Sequence, residues 1–200
     1  TFALDGVEAR RVWVEADLRS GLPAFTVVGL ADKAVREARE RVRSALTNSG
    51  FVFPDGRITI NLAPAYLRKV GPGFDLALAI AILTASRQLP ADVVADCAVV
   101  GELSLMGEVR AVRGALAVAE GAARYGLARL LVPRSRAREA ALVRSVEVLG
   151  VDDLQEAVEV LRGDRAPAPP PDEGAPEPFE GVEPDLSDVR GHNGLVPALE

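Results

Sequence analysis

Gly71-Pro-Gly-Phe-Asp-Leu-Ala-Leu-Ala-Ile-Ala-Ile-Leu-Thr-Ala-Ser86 is the stretch on which the fold turns. The Gly-Pro-Gly break stops whatever precedes it, and Asp75 to Ser86 then runs almost uniformly through Leu, Ala and Ile. A run of that length is long for a strand and carries no polar face, which predicts a central helix buried on all sides. A helix of that kind needs a sheet beside it, and the flanking sequence supplies one. Upstream, Arg57-Ile-Thr-Ile-Asn-Leu62 places Ile58, Ile60 and Leu62 on one face of a strand, entered through Phe51 to Phe53 and the Pro54-Asp-Gly56 turn.

Further upstream, Val12, Val14 and Ala16 alternate with Trp13, Glu15 and Asp17, the period of a half-buried strand, and Ala24 to Leu30 reads as a second one after Gly21-Leu-Pro23. Asp32 is placed to cap a helix whose Ala31, Val35, Ala38, Val42, Ala45 and Leu46 share one side until Gly50 ends it. Downstream, Val99 to Leu105 and Val109 to Val112 predict a hairpin about Met106-Gly107-Glu108. There follow a helix over 115–125 closed by Gly126, a strand over 130–132, a helix over 137–144, a strand over 146–149 and a helix over 153–161 capped by Asp152. Alternating strands and helices predict an α/β or α+β class, a mixed sheet packed with helices.

The 200 residues, 48% hydrophobic, suffice for one ordinary core. Residues 1–163 carry 20 Asp/Glu against 21 Lys/Arg, whereas 164–190 carry 8 acids against Arg165 and Arg190. The near-neutral body argues against nucleic-acid binding by bulk charge while leaving room for a local basic patch. Residues 166–184, centred on Pro169-Pro170-Pro171, have the composition of an extended linker, and Asp185 to Gly191 regains pattern as the first residues of another module. The longest apolar run is about half of the roughly 20 residues that cross a bilayer, so no membrane partner is expected. The single Cys97 precludes an internal disulfide and suits a cytoplasmic setting.

The chemistry-bearing candidates are few. The one histidine, His192, lies beyond the linker, which argues against a Ser-His-Asp or Cys-His site, and one His with one Cys supplies no metal ligand set. A Ser-Lys dyad would have to use Lys33 or Lys69, and Lys69 is read as a surface side chain; a hydrolase site near Lys69 and Asp75 stays as the alternative. Gly71 and Gly73 before the helix could present N–H groups to an anion or small ligand, but Asp75 already occupies that field, so a tight turn made for packing is the preferred reading. No Gly-x-x-x-x-Gly-Lys-[Ser/Thr] phosphate loop occurs. Lys33, Arg36, Arg39 and Arg43 fall within roughly 120° of one another at helical spacing, a stripe that could touch DNA phosphates. Interleaved Glu37 and Glu40 can pair with Lys33, Arg36 and Arg41, so a solvated, self-paired face is the preferred reading and DNA contact the alternative.

Several segments carry a family resemblance: Gly21-Leu-Pro-Ala-Phe-Thr-Val-Val-Gly-Leu30, Ala34-Val-Arg-Glu-Ala-Arg-Glu-Arg-Val-Arg43, Ile58-Thr-Ile-Asn-Leu-Ala-Pro64, Gly71-Pro-Gly-Phe-Asp-Leu76, Gly101-Glu-Leu-Ser-Leu-Met-Gly-Glu-Val-Arg110 and Asp185-Leu-Ser-Asp-Val-Arg-Gly191. Together they resemble the N-terminal domain of the magnesium-chelatase-like AAA+ ATPases, the competence protein ComM/YifB group. The resemblance implies a fold like the Lon protease domain, domain 2 of ribosomal protein S5 and the C-terminal domain of RadA. It places Lon's nucleophilic Ser slot at Gly73 and its Lys slot near Leu116, so both dyad members are missing and no catalytic residue is carried over. It further implies a division into a Lon-like domain at 1–163, an acidic linker at 164–184 and, from 185 to 200, the start of an AAA+ module. The parent would be a ring-forming, hexameric motor using ATP and Mg2+, none of it held by this portion. Its partners would be its own AAA+ module, ring neighbours and DNA, and its work branch migration during recombination in natural transformation.

Overall fold

The computed structural model describes residues 1–171; the acidic stretch from 172, the module start at 185–200 and His192 lie outside the described residues. The chain opens with a hairpin that the sequence reading did not anticipate, β1 (Phe2–Asp5) antiparallel to β2 (Glu8–Arg11), with Phe2 opposite Arg11 and Asp5 opposite Glu8. Gly6 takes φ 60° in its two-residue loop, a left-handed conformation that an Asp-Gly turn supplies.

The first large sheet is mixed, in the order β3-β5-β4. β3 (Trp13–Arg19) pairs antiparallel with β5 (Arg57–Ala63), while β4 (Ala24–Val28) pairs parallel with β5. Ile58, Ile60 and Leu62 are buried as the alternation predicts. The crossover from β4 to β5 holds two helices rather than one, α1 (Lys33–Arg36) and α2 (Ala38–Asn48). Asp32 caps α1, its Oδ1 accepting the Val35 N–H at 2.9 Å. The break at Glu37 has a local cause: the Arg41 guanidinium donates to the Ala34 carbonyl at 2.9 Å, an acceptor that an unbroken helix would give to the Ala38 N–H.

α3 (Asp75–Ala85) is the expected central helix, entered through a 3₁₀ turn at Pro72–Phe74 and buried at Asp75, Leu76, Ala77, Leu78, Ala79, Ile80, Ile82 and Leu83. Beyond it come β6 (Cys97–Val99), a short antiparallel hairpin of β7 (Glu102–Leu103) and β8 (Val109–Arg110), α4 (Ala115–Arg124), β9 (Arg129–Pro133), α5 (Arg134–Ala140), β10 (Glu147–Val151) and α6 (Leu154–Arg162). The single strand expected from Val99 to Leu105 is interrupted because Gly101 turns its backbone to α3: its N–H donates to the Gly73 carbonyl at 3.0 Å and its carbonyl accepts the Leu76 N–H at 3.0 Å. α5 begins directly at Arg134, earlier than periodicity suggested, and α6 is capped by Asp153 rather than Asp152, with the Asp153 carboxylate accepting the Glu156 N–H at 2.7 Å.

The second large sheet, β10-β9-β6, is wholly parallel. β9 divides two cores: Leu131 packs with α3, α6 and the first sheet, whereas Leu130 and Val132 pack with α4, α5 and the opening hairpin. Mixed and parallel sheets covered by helices place the chain in the α+β class.

Candidate nucleic-acid interface

At the start of α3 the chain buries a charge. The Asp75 carboxylate is fully enclosed and accepts Nε–H and one terminal N–H of Arg41, at 2.7 Å and 3.0 Å, with the Leu103 N–H at 3.3 Å. Burial pushes the Asp75 carboxyl above its ordinary range, opposed by the Arg41 guanidinium, whose own pKa that hydrogen bond raises. A carboxylate so occupied is a structural counter-ion to α2, not a free base. Sequence reasoning paired Arg41 with Glu37; the signal it missed is that Arg41 lies three residues after Ala38 and four before Ala45, on the buried side of the helix.

Lys69 is not the surface side chain that was expected. It is fully buried, its Nζ donates to the Pro64 carbonyl, and burial lowers its pKa. Its backbone is tied as well, the N–H to the Leu30 carbonyl at 2.8 Å and the carbonyl to the Asp32 N–H at 3.0 Å. No periodic pattern in the sequence around Lys69 marks it for the interior.

The Gly71–Gly73 loop is tied into the fold through its backbone. Gly71 takes φ 85° and donates its N–H to Asp32 Oδ2 at 3.0 Å, while the Gly73 carbonyl serves Gly101. The Gly71 N–H is thus already taken by the Asp32 carboxylate, while Asp75 is enclosed with Arg41. A Cβ on Gly73 would lie 3.4 Å from the Val112 side chain, ordinary contact. Beside the loop lies a cavity of about 440 Å³ with Phe2, Leu4, Val100 and Val112 in its wall. Leu116, half-buried in α4, gives its N–H to Glu139 Oε1 at 3.1 Å. Cys97 is half-buried, and desolvation raises its thiol to about 11. Among the described residues no cluster of His, Cys, Asp or Glu could hold a metal ion, and no helix is long and apolar enough to cross a membrane.

The four stripe residues are divided by the break at Glu37. Lys33 and Arg36 belong to α1, Arg39 and Arg43 to α2. Lys33 reaches Glu37 at 3.4 Å and Arg39 reaches Glu40 at 3.6 Å; Arg43 stands 5.8 Å above the Phe53 ring. Arg36 shares the rim of a shallow hollow with Lys33 and Arg68. Of the expected acidic pairings, Lys33 with Glu37 forms, Arg41 goes to Asp75, and Glu40 takes Arg39.

Known proteins resemble this chain over most of its length. The sequence model described as subunit ChlI of Mg-chelatase matches residues 14–136. The chain belongs to the Mg-chelatase ChlI family. Within that family it falls in the ComM/YifB group, being 42% identical to the YifB protein of Escherichia coli over 204 residues, which covers 100% of this chain and 39% of YifB. It is 44% identical to the competence protein ComM of Haemophilus influenzae over 158 residues, 79% of this chain and 31% of ComM. It is also similar to the DNA repair protein RadA of Aquifex aeolicus, 37% identical over 108 residues, 54% of this chain and 23% of RadA. The chain thus spans well under half of these relatives. The ChlI match begins inside β3 and runs into α5, taking in the stripe, Asp75 with Arg41, and the turn before α3.

Proposed function

We propose that this chain is the non-catalytic N-terminal domain of a cytoplasmic Mg-chelatase-like AAA+ ATPase that works on DNA during recombination and natural transformation. In this reading the domain spans 1–163, the acidic linker 164–184 leads to the motor beginning at 185–200, and ATP and Mg2+ belong to that motor. The domain sits beside a homo-oligomeric ring, helps it assemble and guides DNA toward it with Arg36, Arg39 and Arg43. The observation that carries the non-catalytic part is the fate of the two groups a residual hydrolase would need. Lys69 is buried on the Pro64 carbonyl and Asp75 is spent on Arg41, so neither offers a base or nucleophile to a substrate. The names of the ComM and RadA relatives support the DNA part.

Two measurements test the reading. The 200-residue chain should show no peptidase activity; cleavage abolished by Lys69→Met would overturn it. In the full-length parent, changing Arg36, Arg39 and Arg43 together to Ala should weaken DNA binding and reduce the salt slope by about one unit per lost phosphate contact. Unchanged affinity and slope with the oligomer intact would return these residues to a solvated, self-paired face.

A further inference from the structure

A groove of about 530 Å³ opens between the β1–β2 hairpin and the segment after β5, with Leu4, Arg10, Arg11, Tyr66, Arg68 and Tyr125 in its lining. Two features set it apart from an ordinary surface hollow. The first is aromatic. The Tyr66 ring stands out of the loop at 85% exposure, where a residue held only for packing would turn inward. Opposite it, Arg11 lies over Trp13 at 3.7 Å from the ring centroid and 5.8 Å from that of Tyr125. Tyr125 is backed in turn by Phe2, their ring centroids 5.9 Å apart. The result is a ladder of flat groups, Phe2 tilted 48° to Tyr125, with Trp13 half-exposed on the open face of β3 in the adjoining hollow that Arg11 also lines.

The second feature is charge. Three guanidiniums, those of Arg10, Arg11 and Arg68, meet one carboxylate in the groove wall, Asp5, and a second at its edge, Glu8, which pairs with Arg10 at 3.1 Å. Arg11 and Arg68 enter no ion pair among the described residues. Arg68 also lines the neighbouring hollow with Lys33 and Arg36, so the positive rim continues onto α1. The one acid in that hollow, Asp32, has its two oxygens on the Val35 and Gly71 N–H groups.

Exposed rings that offer π-faces, set among cations that follow a groove, match the needs of a strand whose bases are unpaired. A duplex keeps its bases stacked inside and could use only the charges. We propose that this groove binds single-stranded DNA, with bases stacked on Tyr66 and on the Trp13–Arg11–Tyr125 ladder and phosphates held by Arg10, Arg68 and the α1 cations. The choice of DNA over RNA rests on the reading of the chain as a DNA-guiding domain; the choice of a single strand rests on the groove alone.

Trp13 is the single tryptophan of the chain and therefore a built-in probe. The 200-residue chain is titrated with oligothymidylate of about 12 nucleotides, within the usual span of single-strand sites, while indole emission is followed. Saturable quenching is expected, and Tyr66→Ala and Arg68→Ala should each weaken it roughly tenfold. Leu142→Ala, also well exposed but outside the groove, should leave it unchanged, and thermal melts confirm that the variants are folded. A duplex of the same length should leave the emission as it was. No quenching, or quenching indifferent to Tyr66→Ala, overturns the groove without touching the stripe. Tighter binding of oligouridylate than of oligothymidylate overturns the DNA assignment and, with it, the functional reading on which that rests.

Discussion

The two large sheets differ in how they are covered. Along β3 and β5 burial alternates, Val14, Ala16 and Leu18 facing inward on β3 and Ile58, Ile60 and Leu62 on β5, while Trp13, Glu15, Asp17 and Arg19 stay exposed. Along β9, Leu130, Leu131, Val132 and Pro133 are buried in unbroken succession. The first sheet therefore carries helices on one side and leaves the other open; the second is parallel and closed on both sides. Surface available to a partner lies on the first, together with the hairpin and loops at its margin, and the second serves as the wall against which both cores set.

The largest effect should come from the charge buried at the junction. Replacing Arg41 by Ala leaves Asp75 without its counter-ion and should cost about 3–5 kcal/mol, read by urea denaturation. The pH dependence gives the sign. Burial already raises the Asp75 carboxyl in the folded state, and losing Arg41 raises it further. A carboxyl raised on folding contributes stability below its unfolded pKa of about 3.9, and that contribution is lost as pH rises through the folded value. R41A should therefore lose stability more steeply than the parent between acid and neutral pH; parallel profiles would mean that Asp75 is not held as described.

Leu131, buried between α3 and the second sheet, should lose about 2–5 kcal/mol on replacement by Ala. A loss below about 1 kcal/mol would show that β9 is less tightly enclosed than the contrast requires. Val28 on β4, 41% exposed, provides the opposite pole: Val28→Thr should stay within about 0.5 kcal/mol. A larger loss there would mean that the open face is covered after all.

How legible this was depended on whether a residue's environment is set by its neighbours in sequence. α3 could be read because nine apolar residues among its eleven leave no amphipathic alternative, and β5 because its alternation is clean. Asp32 was legible because a cap acts on residues three positions away. The opening hairpin was missed although Asp5-Gly6 is a turn signal, since Phe2 and Ala3 are buried side by side and short strands without alternation give no period to detect. Lys69 and Arg41 were misjudged for a different reason: their partners, the Pro64 carbonyl and Asp75, are supplied by chain folding, and charge alone predicts exposure. The aromatic groove draws on residues from 4 to 125, and no window of sequence contains it.

The backbone between Leu30 and Gly71 forms a small knot. Lys69 bonds to Leu30 and Asp32, and Asp32 bonds in turn to both Val35 and Gly71. It joins α1, which bears Lys33 and Arg36, to the loop that bears Tyr66 and Arg68. These side chains thus stand on two segments tied to each other through backbone bonds, like the jaws of a caliper. A strand lying across them would be gauged: one too short to bridge from Tyr66 to Arg36 would gain nothing from the second jaw, and affinity would climb in a step at the length that first spans the gap.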